Sequence, residues 1–326
     1  MKNSKKLKYE FNPYTFARIS AMKSLLLKSE DYDRILKMSS SEIMKHLQEG
    51  VYGEEINKLS IKYSGIKLAE NTLNRHLERV FNKLKIISDP SIEYLMIQYL
   101  KRYDFWNIKT LLRAKITKVP SQDLKDLILP VGSLKYDNLK QLYEKESVRE
   151  IIESCGLINK TEFDDAIQRY EDTKDLSEVE NLLDYHYYLD SVEFAKQIPL
   201  QGKLFKEFFM YEFDIYNIEL FLKKIFFNLE EKDIENYVIY EGKDLSKKVI
   251  TSLLHCKKLS QLLNILSKTK YREILPEISE SDPLLRYEII LERFLLQKSI
   301  LLYHQNPLTV DLVLGFMFAK EIEVRN

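Results

Sequence analysis

An aspartate and an asparagine three positions apart, Asp104 and Asn107, recur in the same order as Asp214 and Asn217. A third pair, Glu323 and Asn326, follows at nearly the same interval. On a helix such a pair occupies one face, which Asp104 and Asn107 share with Leu100 and Leu111. An acid and an amide among apolar neighbours need hydrogen-bond partners once buried. Two uses fit that chemistry. The groups can bond to backbone, or to an arginine on a packed helix, and so fix how two elements meet. Alternatively they can form a ligand or metal site present three times. A single Asp–Asn pair supplies too few oxygens to hold Ca²⁺ or Mg²⁺, and it lacks the paired carboxylates of acid–base catalysis. The first use is therefore the one expected, as a shared structural motif.

Little else in the chain has the spacing that chemistry requires. His46, His76, His186, His255 and His304 are scattered, with no HExxH pattern and no His–Cys spacing of a metal site. Cys155 and Cys256 stand alone, which argues against a zinc site or a disulfide framework and for buried or half-buried thiols. No GxxxxGK[ST], GxGxxG or GxSxG sequence occurs, so nothing here can cradle a phosphate or present a serine nucleophile. No metal, no cofactor and no catalytic residue are expected. Lys+Arg and Asp+Glu are balanced at 50 each, which supplies no electrostatic attraction for nucleic acid. The aromatics of Tyr185–Tyr188 and Phe208–Phe227 then read as core rather than as a platform for stacking bases.

The elements that must position the pairs are helices. Gly and Pro number eight each, too few for a sheet built from many hairpins. Ser39 and Glu42 form a capping-box pattern. Asp89-Pro90, Asp282-Pro283 and Asn306-Pro307 each place an N-cap before a proline at the first helical position. Fifteen to twenty helices joined by short loops are expected. Phe208–Phe227 is interrupted by Glu212, Asp214, Glu219, Lys223 and Lys224, and residues 299–319 by Asn306, Pro307 and Asp311, so neither reads as a membrane span. The basic opening MKNSKKLK leads into Tyr9 and Glu10 rather than an apolar core, so it reads as a solvated tail and not a secretory signal.

Other landmarks keep the spacing of the acid pairs. Gly132 and Gly242 are separated by the same interval as Asp104 and Asp214, as are Leu73 and Leu183, and Leu285 begins a related segment at a somewhat shorter interval. The pattern predicts a triplicated helical unit of about 110 residues, far longer than tetratricopeptide or HEAT repeats. The expected domains are 1–130, 131–240 and 241–326, and three such units meeting edge to edge suggest a ring or funnel with pseudo-threefold symmetry. The helices after Asn107 and Asn217 run on for about ten residues by the same pattern. The third unit is therefore expected to be shortened or cut within a helix at Asn326.

Several segments in this order resemble the C subunit of archaeal and bacterial A/V-type ATP synthases, the family that includes the d subunit of V-type ATPases. They are residues 14–23 (YTFARISAMK), 104–115 (DFWNIKTLLRAK), 129–134 (LPVGSL), Asn306-Pro307 and 320–326 (KEIEVRN). The resemblance implies an all-α funnel of three similar domains around a central cavity, peripheral to the membrane on its cytoplasmic face. It implies a non-catalytic rotor component present once per complex; pseudo-symmetry within one chain, in place of a homotrimer, predicts a monomer when alone. Its partners would be the D and F subunits of the rotor axle and the proteolipid ring. The alternative, from another class, is a helical-repeat scaffold outside any rotary machine.

Overall fold

Asp89 and Pro90 show how the chain sets a helix boundary. The Asp89 carboxylate accepts the backbone N–H groups of Ser91 and Ile92 at 2.9 and 3.2 Å, satisfying donors that have no partner within the helix. Pro90 has no N–H to leave unsatisfied and has its φ already set for the first turn. The helix that follows, Pro90–Ile116, is 27 residues long. At Ser39 the Glu42 carboxylate reaches back to the backbone N–H at 2.8 Å, as in a capping box. Asp282 behaves differently from its sequence expectation. Its carboxylate turns back to the Ser279 N–H at 2.8 Å, and the helix begins at Leu284. The local turn and the helix end compete for the same short side chain, and the turn holds it.

The structure, a computed structural model, describes residues 11–198, 203–274, 279, 281–305 and 309–325. Asn306, Pro307, Asn326 and the basic N-terminal tail lie outside the described residues. Among the described residues the regular structure is entirely helical. None of these helices is long and apolar enough to cross a membrane.

The chain divides into two compact units, one formed by residues 1–162 with 307–326 and the other by 163–306. The first unit contains α1 (Pro13–Lys23), α2 (Ser29–Ile35), α3 (Ser40–Glu49), α4 (Gly53–Leu59) and α5 (Gly65–Ile87). It continues with α6 (Pro90–Ile116), α7 (Tyr136–Tyr143) and α8 (Val148–Ser154). The second contains α9 (Asp164–Thr173), α10 (Ser177–Gln197), α11 (Lys203–Phe226), α12 (Lys247–Leu254), α13 (Leu259–Leu266) and α14 (Leu284–Gln305). The last helix, α15 (Thr309–Arg325), returns to the first unit and packs on α1, α5 and α6. In the second unit α11 packs on α10, α12 and α14.

The helices that carry the acids are buried around much of their circumference. In α6, Leu95, Leu100, Ile108, Leu111 and Leu112 are fully buried, as are Phe209 and Phe221 in α11. Each such side chain contributes about 1.5–3 kcal/mol relative to exposure. Polar groups on these helices therefore sit in the core and must find partners there.

The Asp89 cap yields a direct test. Asp89→Ala should lower stability in urea unfolding by about 1 kcal/mol, while Asp89→Asn should be nearly neutral because asparagine caps as well.

Candidate functional site

The recurring acids hold the backbone of loops that open the next run of helices. Asp104, fully buried in α6, accepts from Ser133 N–H at 2.8 Å and Ser133 Oγ–H at 2.6 Å on one oxygen. Its other oxygen accepts from Leu134 N–H at 2.9 Å. Asn107, one turn along, donates through Nδ2 to Leu129 O and accepts from Leu129 N–H through Oδ1, both at 2.8 Å. The side-chain amide thus mimics a strand partner for residue 129. Together the two side chains bind 129–134 to α6 through backbone groups that would otherwise be buried unpaired.

The second copy repeats this pairing. Asp214 Oδ2 accepts from Lys243, Asp244 and Leu245 N–H at 3.0, 2.7 and 3.3 Å, and from Tyr271 Oη–H at 2.9 Å. Asn217 donates to Ile239 O at 2.6 Å and accepts from Ile239 N–H at 3.0 Å. The approach to these loops shares its geometry too. Lys118 and Asn228, equivalent positions of the repeat, both take positive φ just after their long helices. Val119 N–H then bonds to Ala114 O at 3.0 Å, and Leu229 N–H to Lys224 O at 2.9 Å. Lysines from the same long helices close the short helices that follow. Lys115 Nζ donates to Tyr143 O at 3.1 Å, and Lys224 Nζ to Leu254 O and to Cys256 O, the latter at 3.1 Å. A cation at a helix C-terminus is favourable for its unpaired carbonyls.

Gly132 and Gly242 are required by proximity. A Cβ on Gly132 would lie 2.2 Å from Asp104 Oδ1, and one on Gly242 would lie 1.9 Å from Asp214 Oδ1. Only a residue without a side chain lets each carboxylate come this close to the loop.

The third acid binds a different stretch of sequence in the same manner. Glu323 in α15 accepts from Leu27 N–H at 2.8 Å, from Tyr52 Oη–H and from Lys320 Nζ. Leu27, Leu134 and Leu245 each stand two positions before a short helix, α2, α7 and α12 respectively. All three donate their N–H to one of the recurring acids. Sequence reasoning missed Leu27, Tyr52, Lys320 and Tyr271. The repeat spacing exposes Leu134 and Gly132, but Leu27 and Glu323 are 296 residues apart and meet only in the fold.

Electrostatics differ among the three. Burial pushes the Asp104 carboxyl up, against the Ser133 hydroxyl and the two N–H donors that pull it down. Lys85, bonded to Val131 O at 2.6 Å, is pushed down to about 8, chiefly by burial. Burial carries Asp214 up to about 6 despite its four donors, and its Oδ1 has no hydrogen-bond partner. Burial lowers Lys320 while Glu323 opposes the shift. His76, packed on Tyr52 and bonded to Glu55, is pushed down to about 4 by burial and Lys320. It is neutral in the range where histidines ordinarily switch.

What this arrangement does chemically is hold. Both oxygens of Asp104 and both amide atoms of Asn107 are already engaged by protein donors and acceptors. Cys155 and Cys256 are buried free thiols, and burial raises both above the ordinary thiol range.

Two outcomes are expected from these contacts. Gly132→Ala and Gly242→Ala should each cost about 1–3 kcal/mol in urea unfolding, because the added methyl meets a carboxylate fixed in the core. Asp214 also has a pH signature. A carboxyl raised from 3.8 to about 6 stabilises the fold fully below the lower value and loses that share as pH rises through the upper one. The stability of the parent relative to Asp214→Asn should therefore fall by up to about 3 kcal/mol between about pH 4 and pH 6, then level off. A difference that grows over that interval would contradict the assignment.

A family profile described as ATP synthase (C/AC39) subunit matches residues 15–326. The chain is 34% identical to the A-type ATP synthase C subunit of Methanosarcina mazei, over 100% of this chain and 89% of that protein. It is 33% identical to the C subunit of Methanococcoides burtonii, over 96% of this chain and 87% of the relative. The Haloquadratum walsbyi C subunit is 28% identical over 97% of this chain and 92% of its own length. With the match running through all three acid-bearing helices, the chain belongs to the ATP synthase (C/AC39) subunit family.

Proposed function

We propose that this chain is the rotor coupler of a V/A-type ATP synthase, seated in the central stalk between the soluble axle and the membrane proteolipid ring. It transmits torque for ATP-linked proton or sodium transport and carries out no chemistry itself. The observation that carries this reading is the threefold recurrence of a buried acid gripping the loop before a short helix, in a chain whose relatives are named as ATP synthase subunits. A torque-bearing part needs joints that do not slip. A carboxylate holding one to three backbone N–H groups in a dry core makes such a joint.

In this proposal the chain comprises three helical repeats at 1–130, 131–240 and 241–326. They are arranged about a pseudo-threefold axis as a funnel, and Asp104, Asn107, Asp214, Asn217, Glu323 and Asn326 are its recurring structural residues. The cavity of the funnel receives the D and F subunits of the axle, and the opposite face rests on the ring. One copy serves each complex, peripheral to the membrane at its cytoplasmic face. The balanced charge of the chain suits surfaces that are complementary locally rather than through a net field.

Calorimetric titration of the full chain with the purified axle pair tests this. One-to-one binding is expected with a Kd in or below the micromolar range, about −8 kcal/mol or stronger. Binding should weaken as salt screens its charged contacts. No heat and separate elution on size exclusion at every salt concentration would contradict the coupler.

A further inference from the structure

The helix α15 is core to the first unit, from which it is separated in sequence by the whole of the second. Every position from Leu312 to Glu321 is buried, including Val313, Met317 and Glu321 at 0–1% exposure. Ten consecutive positions turn nearly three times around a helix, so α15 is enclosed on all sides rather than along one stripe. Its neighbours α1, α5 and α6 all lie before Thr117 in the sequence. Residues 163–306, which intervene in sequence, form the other compact unit.

An all-buried apolar helix has no amphipathic face to define its rotation. Lys320, Glu321 and Glu323, near its C-terminal end, supply that definition through partners on other elements. Lys320 Nζ donates to Tyr52 Oη at 3.0 Å. Glu321 accepts from Tyr99 Oη–H at 2.9 Å and lies 3.8 Å from Arg102 Nη1. Glu323 takes the Leu27 N–H and the Tyr52 hydroxyl. Rotating or sliding α15 by one residue would take Glu321 from Tyr99 and Arg102, and the Lys320–Glu323 pair from Tyr52 and Leu27, leaving buried polar groups without these bonds.

We infer that α15 is the closing element of the first unit. That unit stays incomplete until α15 is in place, and the Lys320–Glu321–Glu323 cluster sets the register in which α15 docks. Before docking, α1, α5 and α6 lack the helix that fills the space between them. The Leu27 N–H and the Tyr52 and Tyr99 hydroxyls lack their acceptors. The second unit contains none of these groups and folds without waiting for α15. A chain lacking α15 cannot complete its first unit, although the residues before Thr117 that surround α15 are already present. This inference does not depend on the rotor reading.

Pulsed hydrogen exchange during refolding of the full chain from urea tests it without any partner protein. Amides of α10 and α11 are expected to gain protection in an earlier phase, and those of α1, α5, α6 and α15 together in a later one. Glu321→Gln with Glu323→Gln should slow the later phase at least threefold and leave the earlier one unchanged. Tyr52→Phe is the milder variant, which removes one hydroxyl and keeps the ring. It should speed native-state exchange in α15 and α1 by the same factor, with α10 and α11 unaffected. Protection of α5 and α6 before α15, or a single phase shared by both units, would overturn the inference. So would a Tyr52→Phe effect confined to the tyrosine's own neighbourhood.

Discussion

A buried carboxylate that accepts backbone N–H groups is costly to bury and hard to replace. The acid loses hydration that only well-placed donors restore, and the loop it holds exposes donors that only such an acid satisfies in a dry core. Asp104 with Ser133 and Leu134, Asp214 with residues 243–245, and Glu323 with Leu27 all meet that double requirement. Gly132 and Gly242 follow from it, since any side chain there would occupy the space of the carboxylate. The partner amides Asn107 and Asn217 follow as well, fixing the extended approach to the same loops. Remove the acid, and the loop, the short helix behind it and the lysine that closes that helix lose their common anchor.

The first two acids grip loops a short way ahead of them, whereas Glu323 grips a loop 296 residues behind it. Chain connectivity helps the first two, because the entropy of closing a short loop is small. The third has no such help and draws instead on a charged neighbour, the Lys320 ammonium, and on the Tyr52 hydroxyl that both side chains share. The same device is thus built from different neighbours according to how much each joint must hold by itself. For a part that conveys torque, as proposed, a joint between segments so far apart in sequence is where compliance would otherwise be greatest.

Much of this was legible in the sequence for physical reasons. Scarce glycine and proline, with caps such as Asp89-Pro90, left helices as the simplest way to satisfy the backbone. The repeat spacing isolated Asp104, Asn107, Asp214, Asn217 and the two glycines because the loop geometry tolerates few residue types at those points. Leu27 was not legible, since any residue but proline supplies an N–H and its side chain carries no mark of the bond. Tyr52 and Tyr271 were hidden among 21 tyrosines. Asp282 misled because a local turn and a helix end want the same carboxylate. The discontinuous first unit was invisible for a related reason: apolar residues on every side of α15 indicate burial without indicating against what.

The central claim is that the recurring acids anchor the loops they grip, and amide exchange at those loops measures it most directly. In Asp104→Ala, exchange at Ser133 and Leu134 should accelerate at least tenfold while Lys243–Leu245 stays protected. Asp214→Ala should show the reverse, with each variant losing about 1–3 kcal/mol of stability. Unchanged melting together with unchanged exchange at Leu134 and Leu245 would contradict the account.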